Sequence, residues 1–234
     1  RRARYRLVGD PALADPMRAA LIAQGRPPGG RGSRVLVVGT DLGAMIAHAW
    51  TARSLAEGAV EWREWLTPFT RGRSVPPRVD LVRIARDWSE RVGTERVHIV
   101  LDPAAVPRLV GVRRLPGPLP LSADATDLGR RIGQVLGLLA VPGRKRALLR
   151  ETLVPWLVES GGPALVVPEE HREWLHARAG HLRDELLRAG YAVHGDPDSL
   201  LPGERVGAPE PSDAGVLALA MALMLEKPVR RGAS

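Results

Sequence analysis

Two periods of hydrophobic and polar residues run along this chain, one of short apolar blocks and one of longer amphipathic stretches. The blocks Tyr5 to Val8, Val35 to Val38, Val97 to Leu101 and Ala164 to Val167 are rich in β-branched residues and mostly bounded by Gly or Pro. They predict strands. Helical periodicity covers about Leu13 to Gln24, Leu42 to Glu57, Val79 to Val92, Ala125 to Leu139, Lys145 to Glu159 and Glu169 to Ala189. Strands alternating with helices predict a mostly parallel sheet flanked by helices, a three-layer α/β fold.

The stretch from Glu169 shows how the pattern separates core from surface. At 100° per residue, Leu175, Ala179, Leu182 and Leu186 fall within about 60° of arc and form a core stripe. His171, His176 and His181 recur every five residues, drift by about 140° per step and do not converge on a metal ion. No metal is expected.

Gly25 to Gly32, Leu115 to Leu121 and Pro202 to Pro211 are rich in Pro and Gly and read as surface loops. After the last of them, Ser212 and Asp213 look like a cap on an apolar helix that runs to Leu225. The expected organisation is a single α/β domain over residues 1–205, then a linker and a C-terminal helix over 206–234 that docks on the domain or on a partner.

Composition narrows the chemistry. At 44% hydrophobic and 26% charged residues, the 234-residue chain is far too apolar to be disordered. It has no cysteine, which excludes disulfides, thiolate metal sites and thiol nucleophiles. No apolar run approaches the roughly 20 residues of a membrane span, and no segment reads as a signal peptide. A cytoplasmic protein is expected. The chain opens Arg1, Arg2, Ala3, Arg4 without methionine, so a longer native N-terminus carrying a functional segment is also expected.

The net charge of +8 raises the possibility of a nucleic-acid partner. The arginines are spread along the helices, however, and no reader motif such as a helix-turn-helix or zinc finger accompanies them. A basic nucleic-acid-binding protein therefore rests on charge alone. Arg144, Lys145 and Arg146 form the one candidate basic patch.

The segment from Val35 to Trp50 reads as a strand, a tight turn and a helix, a geometry that aims backbone N–H groups at the carboxyl end of a strand. Gly39, Thr40 and Asp41 are its candidate ligand-binding residues. Gly39 and Gly43 match only a fragment of a dinucleotide fingerprint. Asp41 suits the N-cap of the following helix. His48 is the one histidine near the turn and the candidate general base, because imidazole titrates near neutrality. Asp102, after the Val97 strand, is a weaker candidate at the edge where α/β ligands bind.

Several stretches agree in order and spacing with one family. Gly39-Thr-Asp-Leu42 with its Trp-bearing helix, then Glu61-Trp-Arg-Glu-Trp-Leu66, resembles the middle of actinobacterial sulfotransferase-like proteins. Asp80 to Gly93 followed by Arg96-Val-His-Ile-Val100 resembles their helix leading into a core strand, and Leu121 to Ile132 their next helix. Val167 to Leu175, Leu187 to Asp196 and Leu200 to Pro202 are similar to their C-terminal region. The likeness covers roughly residues 34 to 205.

The resemblance implies a P-loop-type fold and transfer of a sulfonate from 3′-phosphoadenosine 5′-phosphosulfate to a hydroxyl or amine. That donor requires a Gly-rich phosphate loop with Lys or Ser/Thr, and none is visible in this chain. The family's 3′-phosphate site pairs an Arg after a strand with a Ser further on; this sequence offers Gly39 or Thr40, and Ala47. The missing charge-assisted bonds are each worth about 1.5 to 3 kcal/mol. The expectation is a sulfotransferase-like protein with degenerate donor-binding features, non-catalytic, binding an anionic small molecule or a protein partner and using no cofactor. The alternative is an active enzyme using that donor, with its phosphate loop upstream of Arg1.

Overall fold

β1 (Tyr5–Gly9), β2 (Arg34–Val38), β3 (Val97–Val100) and β4 (Ala192–His194) form one four-stranded parallel sheet in the order β1-β2-β3-β4. The computed structural model describes residues 5–30, 32–56, 58–139, 141, 143 and 147–225. The basic patch at 144–146 lies outside the described residues. Leu7 registers with Leu36, Val37 with Ile99, and Ile99 with Val193. Alternate side chains therefore leave the sheet on opposite faces.

Helices cover both faces. On one, α1 (Pro11–Ala23) and the short α5 (Val106–Val110) bury Leu13, Met17, Val106 and Val110 against Leu7, Leu36, Val38 and Val100. On the other, α2 (Leu42–Ala56), α3 (Trp62–Arg71), α4 (Leu81–Val92) and α8 (Arg172–Arg188) enclose Val35, Val37, Val97 and Ile99. The stripe Leu175, Ala179, Leu182 and Leu186 is buried on α8, as its spacing requires. Trp50, Trp62, Trp65 and Phe69 pack edge-to-face and stacked at centroid distances of 5.6, 5.7 and 5.0 Å. Trp50 and Trp62 spend their indole N–H groups on the carbonyls of Val60 and Pro209, so these tryptophans belong to the core.

One expectation is corrected and another refined. The run Ala164 to Val167 is not a strand of the sheet: Ala164 bridges Ser122 and Leu165 bridges Ala208, each singly. Gly161 and Gly162, both at positive φ, and Pro168 confine the run to too few residues for a ladder. The fourth strand is instead Ala192–His194, three residues whose alternation is too brief to register as a pattern. The helix expected from Lys145 is helical over the described residues 147–159, with a wide π turn, Leu149–Leu153, ahead of α7 (Val154–Glu159). Pro155 lacks the N–H that would close a regular turn there.

A third cluster joins α6 (Ala123–Leu139) to α7 and to the C-terminal helix α9 (Asp213–Leu225), with Leu128, Leu157 and Val216 at its centre. Asp124 accepts from Ser212 N at 2.7 Å, and Arg131 links Asp127 to Asp213. No helix among the described residues is long and apolar enough to cross a membrane.

Candidate functional site

The adjacent strands β1 and β2 end side by side and their chains then part, β1 into α1 on one face and β2 into α2 on the other. Divergence of neighbouring connections is what opens a crevice at the carboxyl edge of an α/β sheet. Each strand delivers a buried aspartate to this edge.

Gly9, at φ 106°, makes the first turn possible, since a Cβ there would stand 2.3 Å from the Val38 carbonyl oxygen. The Asp10 N–H then continues the ladder to Val38 O at 2.9 Å. Its side chain is fully buried and divided between two tasks. Oδ1 accepts from Ala12 N at 2.9 Å and caps α1, while Oδ2 lies 2.7 Å from His48 Nδ1. A carboxylate only accepts, so Nδ1 carries the proton and a neutral His48 keeps its lone pair on Nε2. With its side chain 25% exposed, His48 has the orientation of an imidazole base held by a carboxylate. Asp10 was not among the residues singled out from sequence, although Gly9-Asp-Pro11 directly after a strand is a turn-and-cap signal.

Asp41 has a different occupation. Its Oδ1 accepts from Ala44 N at 2.8 Å and its backbone carbonyl from Met45 N, which caps α2. Its Oδ2 accepts from Gly203 N at 2.9 Å and lies 3.4 Å from Arg205 Nε. The carboxylate, 10% exposed, stands where the α2 amino end would receive an anion. It borders a half-open cleft of about 430 Å³ between α2, α8 and residues 202–209. Arg172, His176 and Arg205 reach this cleft together with Glu169 and Glu204. Arg172 is bound to Glu169 through two hydrogen bonds. The hydrogen bond from Arg172 holds the Glu169 carboxyl below its ordinary pKa, and the charge of Arg172 adds to the effect.

Gly39 is fixed by packing. It donates its N–H to Val100 O at 2.9 Å, and a Cβ would meet Leu81 Cδ1 at 2.4 Å and Met45 Sδ at 3.2 Å. A larger residue here would have to displace the buried side chains of Leu81 and Met45. Ala47 is buried in the main core, where a serine hydroxyl would be placed among apolar groups. Thr40 is half-buried in the turn. Asp102 is exposed and caps the turn Pro103–Ala105 through Ala104 N at 3.0 Å.

The remaining histidine pair lies on the sheet itself. His98 Nδ1 and His194 Nε2 are 2.9 Å apart, with centroids 5.2 Å apart and planes within 14°. That centroid separation equals the N···N distance plus a ring radius at each end, so the rings meet edge to edge in one plane. The contact is an N–H···N hydrogen bond between β3 and β4, which needs one proton between the two nitrogens. Burial pushes the His98 pKa below the ordinary histidine value, and His194 and Arg34 lower it further. Among the described residues no group of three His, Cys, Asp or Glu is placed to hold a metal ion.

No protein-family model, curated protein or solved structure matches this chain.

Proposed function

We propose that this chain is a sulfotransferase-like protein that binds without catalysing sulfonate transfer, its ligand a small anion or a protein partner held at the cleft beside Asp41. The observation that carries the reading is the Asp41 carboxylate, which caps α2 and accepts from Gly203. An internal anion occupies the helix terminus that a donor phosphate would need. Leu81 and Met45, packed on Gly39, support the same reading, because they occupy the space beside one of the two positions, Gly39 or Thr40, where the family would place its arginine. Arg172 and Arg205 line the cleft wall, each paired with a carboxylate, Glu169 and Asp41, that a bound anion would compete with.

Titration calorimetry with adenosine 3′,5′-bisphosphate tests this. The expected result is no saturable heat; saturable micromolar binding would overturn the proposal.

The Asp10–His48 pair favours a second reading, an active sulfotransferase completed by a phosphate loop outside this sequence. His48 Nε2 would take the proton of an acceptor hydroxyl. The acceptor oxygen would bond to sulfur as the sulfur–oxygen bond to the donor phosphate breaks. On this reading His48→Ala lowers turnover by roughly 10²- to 10⁴-fold. A donor-dependent transfer assay that shows no turnover, or turnover indifferent to His48, removes it.

A further inference from the structure

α9 carries no charged residue from Ala214 to Leu225. A helix that is apolar all round belongs inside something. Among the described residues only one of its faces is covered: Val216 is buried against α6, with Leu219, Ala220 and Leu223 partly buried beside it. On the other face Leu217, Met221, Met224 and Leu225 are 51 to 78% exposed.

We infer that this face is the interface between two copies of the chain, joined by antiparallel α9 helices about a two-fold axis. The exposed side of α9 consists of two neighbouring i, i+4 rows, a small one of Ala214, Ala218 and Ala222 and a large one of Leu217, Met221 and Leu225. Under a two-fold operation the large row of one copy enters the groove over the small row of the other. The surface is thus complementary to itself, as an isologous contact requires.

The area also fits. α6 and α9 start together at the Asp124–Ser212 hydrogen bond and pack side by side. Exposed Val135 and Leu139 of α6 therefore extend the patch at the far end of α9, and Val141 follows them. These residues are each 51 to 78% exposed, enough apolar surface for the centre of a standard interface of roughly 800 Å² per partner. A bilayer is a poorer occupant, because interfacial helices carry a Lys- and Arg-rich polar face and this one has none.

Sedimentation equilibrium of the protein, as a function of concentration, provides the test. The expected result is a reversible dimer. Met221→Arg puts like charges across the two-fold axis and weakens association by about a hundredfold or more. Because Met221 is exposed, the circular dichroism spectrum of the variant stays unchanged, while its thermal midpoint loses the concentration dependence that a dimer confers. Met221→Arg mixed with Met221→Glu restores the dimer, which neither forms alone. A wild-type monomer at every concentration, a dimer indifferent to Met221→Arg, or a mixture that stays monomeric would each overturn the inference. Nucleotide binding does not enter this experiment, so its outcome is independent of what the cleft holds.

Discussion

Asp10 and Asp41 follow adjacent parallel strands and both are buried caps of the next helix, yet they face different partners. Asp10 gives its second oxygen to an imidazole, and Asp41 gives its own to the backbone of residue 203. A carboxylate against a backbone N–H is a fixed structural joint, since the amide does not titrate. A carboxylate against a histidine orients a group that can carry a proton away. The proton chemistry of this edge is therefore concentrated at the Asp10–His48 pair, whereas at the end of β2 the α2 terminus is occupied by internal bonds and the cleft beside it is left for binding.

Asp10→Ala should cause the largest loss of stability, about 3 kcal/mol, because it removes the α1 cap and a buried partner of His48 together. Chemical denaturation measures it, and Asp10→Asn, which keeps the cap acceptor, should lose clearly less. A loss under about 1 kcal/mol would mean that the pair is incidental.

Asp41→Ala should cost about 2 kcal/mol, through the α2 cap and the unpaired Gly203 N–H. It should also free the helix terminus for an anion. Sulfate should therefore raise the thermal midpoint of Asp41→Ala more than that of the wild type. Equal responses would show that the terminus was never an anion site.

Acid should produce a smaller loss, and it arises away from both aspartates. The folded-state pKa of His98 is depressed, so its stabilising contribution is complete above the unfolded pKa of about 6.5. That contribution declines as pH falls below this value toward the folded pKa, where His98 takes up its proton against the burial and neighbouring charge that disfavour it. His194→Gln should flatten this part of the stability–pH curve. An unchanged curve would place the acid sensitivity outside the β3–β4 pair.

The smallest effect belongs to Arg78, which meets both oxygens of Asp15 at 2.9 Å on the surface. Arg78→Ala should cost less than about 1 kcal/mol and fade with added salt. A larger, salt-resistant loss would identify it as part of the carboxyl edge.

The alternation of strand and helix, the core stripe of α8 and the apolar C-terminal helix follow from residues a few positions apart, and periodicity reports such local geometry directly. Asp41 could be read as a cap for the same reason, because a cap depends on the next three residues. The bond from Gly203, the approach of Leu81 to Gly39 and the pairing of Asp10 with His48 join residues 162, 42 and 38 positions apart. No local pattern encodes such contacts. β4 was missed because three residues are too few to show a period, and the Ala164 run was misassigned because its hydrophobicity is spent on single bridges. Sequence alone determined the α/β class, the absence of thiol chemistry and the lack of a visible phosphate loop. Tertiary structure decided which of two buried carboxylates orients a histidine and which merely closes a helix, because partner choice depends on contacts that exist only once the strands are side by side.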